Sequence, residues 1–221
     1  MNVVALISVG SAPALALLTY FYLRNEYGSA GWRDVIRAFI IGMLIVFPIM
    51  VIQFALTEEG LLTSRLAETF LKSALLEEFF KWFFLIFTVY KFGQFTVKFD
   101  GIVYAVALSL GFATLENIFY LIGQGPDAVI GRALFPVSGH ALFGVIMGYY
   151  LGSARYQVRG QRKKWLMYSL ILPVVFHGIF NLVLTYSNNW MPFVLIPFMI
   201  FLWWLGLSKV KKANENSKQS V

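Results

Sequence analysis

Val35–Leu56 reads VIRAFIIGMLIVFPIMVIQFAL, and its one charge, Arg37, sits near the start. About twenty apolar residues is the length an α-helix needs to cross a hydrocarbon core of about 30 Å at 1.5 Å per residue. Similar runs lie on either side, at Val3–Leu23, Leu66–Tyr90, Gly101–Ile122, Ala133–Leu151, Trp165–Tyr186 and Met191–Ser208. The chain of 221 residues is 59% hydrophobic and 13% charged, whereas a soluble globule carries about 25% charged residues. Composition and run length together predict an all-α, multi-pass transmembrane bundle of about seven spans. Val3–Leu23 has the length of a signal peptide, but no basic residue precedes it and Arg24 follows it, so it is expected to stay as a helix.

The net charge of +7 is distributed unevenly. Arg24, Arg33 and Arg37 lie in the first connection, and Lys91 and Lys98 in the third. Arg155, Arg159, Arg162, Lys163 and Lys164 lie in the fifth, and Lys209, Lys211, Lys212 and Lys218 follow the last run. The alternate connections hold only Arg65, beside Glu58 and Glu59, and Arg132. The positive-inside rule then predicts the N-terminus outside and the C-terminus inside. Residues 1–208 are expected to form the transmembrane domain and residues 209–221 a loose cytoplasmic tail. The lipid bilayer is the partner these basic clusters suit, as anchors toward anionic headgroups, and no nucleic acid is expected. With no cysteine in the chain, disulfides, thiolate metal sites and cysteine nucleophiles are excluded.

Ionisable groups inside a span cost at least about 2.5–3.5 kcal/mol each on insertion scales, so each asks for a function. The third span carries Lys72, Glu77, Glu78 and Lys81; the fourth carries Glu116 and Asn117. The fifth carries His140, and the sixth carries His177 and Asn181. Counted from the outer ends, Glu77, Glu116, His140 and His177 all fall roughly 9–17 Å deep at 1.5 Å per residue. Four helices thus bring acid or imidazole to one layer. Residues four apart share a face, which groups Glu77 with Lys81, Phe112 with Glu116, and His177 with Asn181. His140 heads the series Gly144, Gly148 and Gly152, a small-residue stripe suited to close helix approach. Pro173, four residues before His177, is expected to loosen the helix there.

A carboxylate and two imidazoles in a dry cavity can activate water, one glutamate taking its proton while His and Asn donors stabilise the oxyanion. Lys81 would supply the counter-charge for Glu77, and Glu78 or Glu116 the second acid. Two histidines and a glutamate, His140, His177 and Glu77, are also an acceptable catalytic zinc set. With no HExxH motif, metal-bound and metal-free water chemistry both stand. Asp34, Asp100 and Asp127 lie at helix ends or in loops, so no aspartyl pair exists. Ser138 with His177 would make a nucleophile and base, a weaker alternative.

The segment Glu77-Glu78-Phe79-Phe80-Lys81 resembles the EExxK/R motif of membrane proteases related to the CAAX-processing enzymes. Phe112-Ala113-Thr114-Leu115-Glu116 resembles their FxxxH or FxxxE motif, His140 their lone histidine, and His177-Gly178-Ile179-Phe180-Asn181 their HxxxN motif. The glutamate ending the second motif and the lysine ending the first resemble the PrsW family of intramembrane proteases in particular. That resemblance implies an endopeptidase making the first, outer-side (site-1) cut in a single-pass, membrane-bound anti-sigma factor of the bacterial plasma membrane. The cut begins a cascade that frees an envelope-stress sigma factor. It further implies Glu77 as the water-activating residue, Glu78 and Glu116 as its support, His177 and Asn181 as oxyanion donors, and His140 as a further site residue. Glu116 stands where CAAX-processing relatives carry histidine, which argues against a prenylated substrate.

Two other classes compete. A proton- or ion-coupled transporter also uses Glu and His chains, but no inverted repeat or paired broken helices are present. A non-catalytic scaffold is the other. Residue by residue, Glu77 and Glu78 can be read as structural ions paired with Lys81 or Lys72, and Asn117 as an interhelical hydrogen-bonding residue. Lys72 suits snorkelling, and Trp82, Trp190, Trp203 and Trp204 suit lipid contact.

Overall fold

The computed structural model describes residues 3–28, 30–91, 95–124, 133–186 and 191–218. Every regular element among them is helical. Helix α1 is Val3–Leu23 and α2 is Trp32–Glu58. Helix α3 is a continuous rod of three segments, π-helical Ala67–Leu75, α-helical Leu76–Leu85 and π-helical Ile86–Tyr90. Helix α4 is Lys98–Gln124; α5 joins a π turn, Ala133–Val137, to Ser138–Arg155. Helices α6 and α7 are Arg159–Thr185 and Met191–Lys218.

Each expected span meets one of these helices. Five are long and apolar enough to cross a membrane, namely α1, α2, α4, α6 and α7. Helix α3 is interrupted by π turns and by the charges of its middle. Helix α7 does not stop at the expected boundary after Ser208. It continues to Lys218 with Val210, Ala213, Asn214 and Ser217 buried, so this part of the expected loose tail is ordered against the bundle. Arg132, Asp127 and Trp190 lie outside the described residues.

The core lies along α4, which packs against α1, α2 and α5. From Ile102 to Leu110 every α4 side chain is buried. The expected glycine stripe on α5 works here: a Cβ on Gly148 or Gly152 would meet the carbonyl oxygens of Gly101 and Lys98 on α4. Without side chains between them the two backbones come into direct contact, and dispersion across that contact replaces the hydrophobic drive that is missing between helices in lipid. Outward surfaces are apolar, as on α2, where Ile36, Ile40, Leu44, Phe47, Val51 and Phe54 are exposed along one stripe. That stripe in contact with lipid tails costs nothing, and in water it would be a large exposed patch. Trp204 follows the expected lipid contact, 66% exposed. Trp82 and Trp203 do not: Trp82 donates to Ser169 Oγ at 2.9 Å, and Trp203 stacks on Phe21.

Candidate active site

The charges of α3 point into the bundle. Glu77, Glu78 and Lys81 are buried, Glu78 completely. Adjacent residues on a helix diverge by about 100°, yet both acids reach the same imidazole. Glu78 Oε1 accepts from His177 Nδ1 at 2.9 Å, while Glu77 Oε2 lies 3.8 Å from His177 Nε2. The two nitrogens lie on different edges of the ring, so His177 spans the divergence. Ser73 lies four residues before Glu77 on the same face of α3, and its hydroxyl donates to Glu77 Oε1 at 2.9 Å.

The remaining helices close around this pair. His140, at the start of the regular part of α5, has Nε2 3.0 Å from Glu116 Oε2 on α4 and Nδ1 3.1 Å from Lys81 Nζ. The rings of His140 and His177 meet edge to face at 5.1 Å, and Phe143 stacks on His177 at 5.0 Å. Phe112 is the floor beneath Lys81, whose Nζ lies 4.1 Å from the ring centre. Glu77, Glu78, Glu116, His140 and His177 are therefore brought into one cluster.

Some expected pairings differ. Lys81 was expected to neutralise Glu77, but its close partner is Glu78 at 2.8 Å, with Glu77 at 3.8 Å. Asn181 donates its amide to Ser73 Oγ at 2.8 Å, so it reaches Glu77 through a hydroxyl. Both nitrogens of His177 face carboxylates, and Ser138 donates to the Phe135 carbonyl. Asn117 makes the expected interhelical bond, to Gly10 O at 2.8 Å. Lys72 turns to Glu68 and Thr57 and takes no part in the cluster.

Sequence reasoning missed two neighbours, Ser73 and Gln53. Gln53 Nε2 on α2 donates to the Lys72 carbonyl at 3.1 Å and, at 3.4 Å, to Glu77 Oε1. A serine one turn before a buried acid and a lone amide in an apolar span were their only signals. Gln53 also lines a cavity of about 130 Å³ between α2 and α4, with Val46, Ile49, Met50, Glu77, Phe112, Glu116 and Phe119 around it. The Glu116 side chain, which lines this cavity, is 37% exposed, the most open of the cluster's acids.

The donor set fits a divalent cation. One ligand atom each from Glu77, His140 and His177 lie within 4.8 Å of one another. Glu77 Oε2 and Glu78 Oε2 are buried with no hydrogen-bond partner, and a buried acceptor without a partner costs about 1–3 kcal/mol unless something fills the need. Each imidazole is also oriented by a carboxylate, His177 by Glu78 and His140 by Glu116, the outer arrangement usual around metal-binding histidines. Carboxylate and imidazole ligands suit zinc.

Residues 30–206 match the family described as PrsW family intramembrane metalloprotease. A protein named Protease PrsW from Bacillus subtilis (strain 168) is 49% identical over 217 residues, covering 98% of this chain and 99% of the relative. The protein of that name from Geobacillus kaustophilus (strain HTA426) is 50% identical over 209 residues, 95% of this chain and 92% of the relative. The one from Clostridioides difficile (strain 630) is 30% identical over 214 residues, 92% and 90% of the two chains. No solved structure matches.

Proposed function

The chain belongs to the PrsW family of intramembrane proteases, and from that premise we propose that it makes the first, outer-side cut in a single-pass anti-sigma factor of the bacterial plasma membrane. The cut begins the proteolysis that frees a stress-response sigma factor on the cytoplasmic side. The charge asymmetry of the connections supports the outer side. The observation that supports the chemistry is Glu77 Oε2, buried without a hydrogen-bond partner 3.8 Å from His177 Nε2, on a residue that lines the same cavity as Glu116.

Glu77, His140 and His177 are the residues that would hold zinc, which when bound supplies a water of lowered pKa and polarises the scissile carbonyl. Ser73 and Gln53 hold Glu77 Oε1, which keeps Oε2 turned toward His177. Asn181 acts through Ser73 in the same task. Glu78 has no access to the cavity and is a positioning residue for His177. Glu116 is the carboxylate that can reach both water and the leaving group, so it takes the proton of the attacking water and returns it to the departing amine. The substrate backbone enters from the α2–α4 side, past Met50 and Phe119.

The test is cleavage of a tagged anti-sigma factor in proteoliposomes that contain only the purified protein. Wild type is expected to cut, Glu77→Gln to lose the cut while staying folded, and a zinc chelator to abolish it until zinc is returned. Survival of cleavage in chelator would refute the metal and leave Glu77 acting on water directly. A folded wild type that leaves intact a substrate another protease still cuts would refute the proposal.

A further inference from the structure

We infer that Lys81 is a built-in competitor of the metal: its ammonium holds His140 in the metal-free cluster and must withdraw for a divalent cation to bind. This rests on the metal reading of the Glu77–His140–His177 site and concerns how that site is filled. Lys81 Nζ lies 2.8 Å from Glu78 Oε1, 3.1 Å from His140 Nδ1 and 3.8 Å from Glu77 Oε2, and its side chain is 1% exposed.

The argument is a count of lone pairs. An ammonium donates and cannot accept, so His140 Nδ1, which faces it, presents its lone pair. A neutral imidazole has one lone-pair nitrogen and one N–H. Nε2 therefore carries the hydrogen and donates to Glu116 Oε2 at 3.0 Å. A metal also needs the imidazole lone pair. If it binds Nδ1, it takes the place of Lys81. If it binds Nε2, the hydrogen moves to Nδ1 and then faces the ammonium, donor against donor. In both cases the Lys81–His140 bond breaks.

His177 has no such obstacle. Its Nδ1–H is held by Glu78, and its Nε2 lone pair already faces Glu77 Oε2. Two ligands are thus prepared and the third is blocked. Lys81 balances the buried carboxylates when metal is absent, and it opposes the incoming positive charge when metal arrives. The consequence is a weaker, more exchangeable metal than the donor set alone would give.

The test uses the full chain in nanodiscs, stripped by chelator and titrated with zinc. Lys81→Met is expected to bind zinc at least tenfold more tightly than wild type, and Lys81→Arg, which keeps charge and donors, to stay within about threefold of wild type. The chain has two histidines, so histidine-selective ¹⁵N labelling of the wild type reports the site directly, with His177→Asn to assign the signals. Metal-free His140 is expected as the Nε2–H tautomer and His177 as the Nδ1–H tautomer, with zinc displacing the His140 signals. Metal-free His140 found as the Nδ1–H tautomer would overturn the inference, whether or not the Lys81 variants fold. Equal or weaker zinc binding by folded Lys81→Met overturns the competition and leaves the metal site standing. No zinc binding by either protein overturns both.

Discussion

Replacing Glu78 and Glu77 in turn by glutamine separates a residue that holds the cluster together from one that works in it. Glu78 Oε1 accepts from Lys81 at 2.8 Å and from His177 at 2.9 Å, and the side chain is out of contact with solvent. Glu78→Gln leaves the Lys81 ammonium buried with its next carboxylate oxygen, Glu77 Oε2, 3.8 Å away. Breaking a buried ion pair on one side costs about 3–5 kcal/mol, because the remaining charge has lost its partner. The nearby Glu77 puts the expected cost at the low end, about 3 kcal/mol. For a chain of this size that lowers the unfolding midpoint by about 6–12 °C. Glu77→Gln keeps the Lys81–Glu78 pair and the shape that meets Ser73, and it removes a buried charge whose Oε2 has no hydrogen-bond partner and only a 3.8 Å contact with Lys81. Its expected change is within about 1 kcal/mol, although cleavage is lost. Tryptophan-detected thermal unfolding in one detergent, run beside the proteoliposome assay, measures both. Adding Lys81→Met to Glu78→Gln removes the stranded ammonium, so the double variant is expected to recover part of the lost stability. If Glu77→Gln falls as far as Glu78→Gln, or Glu78→Gln leaves the midpoint unchanged, the division of labour between the two acids is wrong.

Ser73→Ala and Asn181→Ala are each expected to lower kcat/KM about tenfold, equivalent to about 1.4 kcal/mol. Their double variant should fall little further, since both act on Glu77 through one hydrogen-bonded chain; an additive hundredfold loss would mean that Asn181 touches substrate independently. Gly148→Ala sets a methyl against the Gly101 carbonyl and should cost about 1–3 kcal/mol by overpacking. Gly160→Ala, where a Cβ meets nothing, should leave the stability within about 0.5 kcal/mol of wild type.

What could be read in advance follows from what each signal depends on. The helices were legible because crossing a hydrocarbon core imposes length and apolarity on every span, and α1 ends at the expected Leu23. The end of α7 was not, because residues 209–218 are polar in composition while Val210, Ala213, Asn214 and Ser217 find a buried face. That these groups cluster was legible for a similar reason: lipid penalises Glu77, Glu78, His140 and His177 unless they face one another. Their pairing was not. Face-sharing on an ideal helix assigns Lys81 to Glu77, four residues away, and separates the two adjacent acids. The bundle instead supplies an imidazole from α6 whose nitrogens lie on different edges, so Glu78 and Glu77 can meet it from different directions. Lys81 is then left to Glu78 and to His140. Periodicity locates a polar group on its own helix, but a partner on another helix decides what the group does. Ser73 and Gln53 illustrate the same limit, since a neutral hydroxyl or amide carries too small a membrane penalty to announce itself. Both acquire a role only because Glu77 Oε1 lies within their reach.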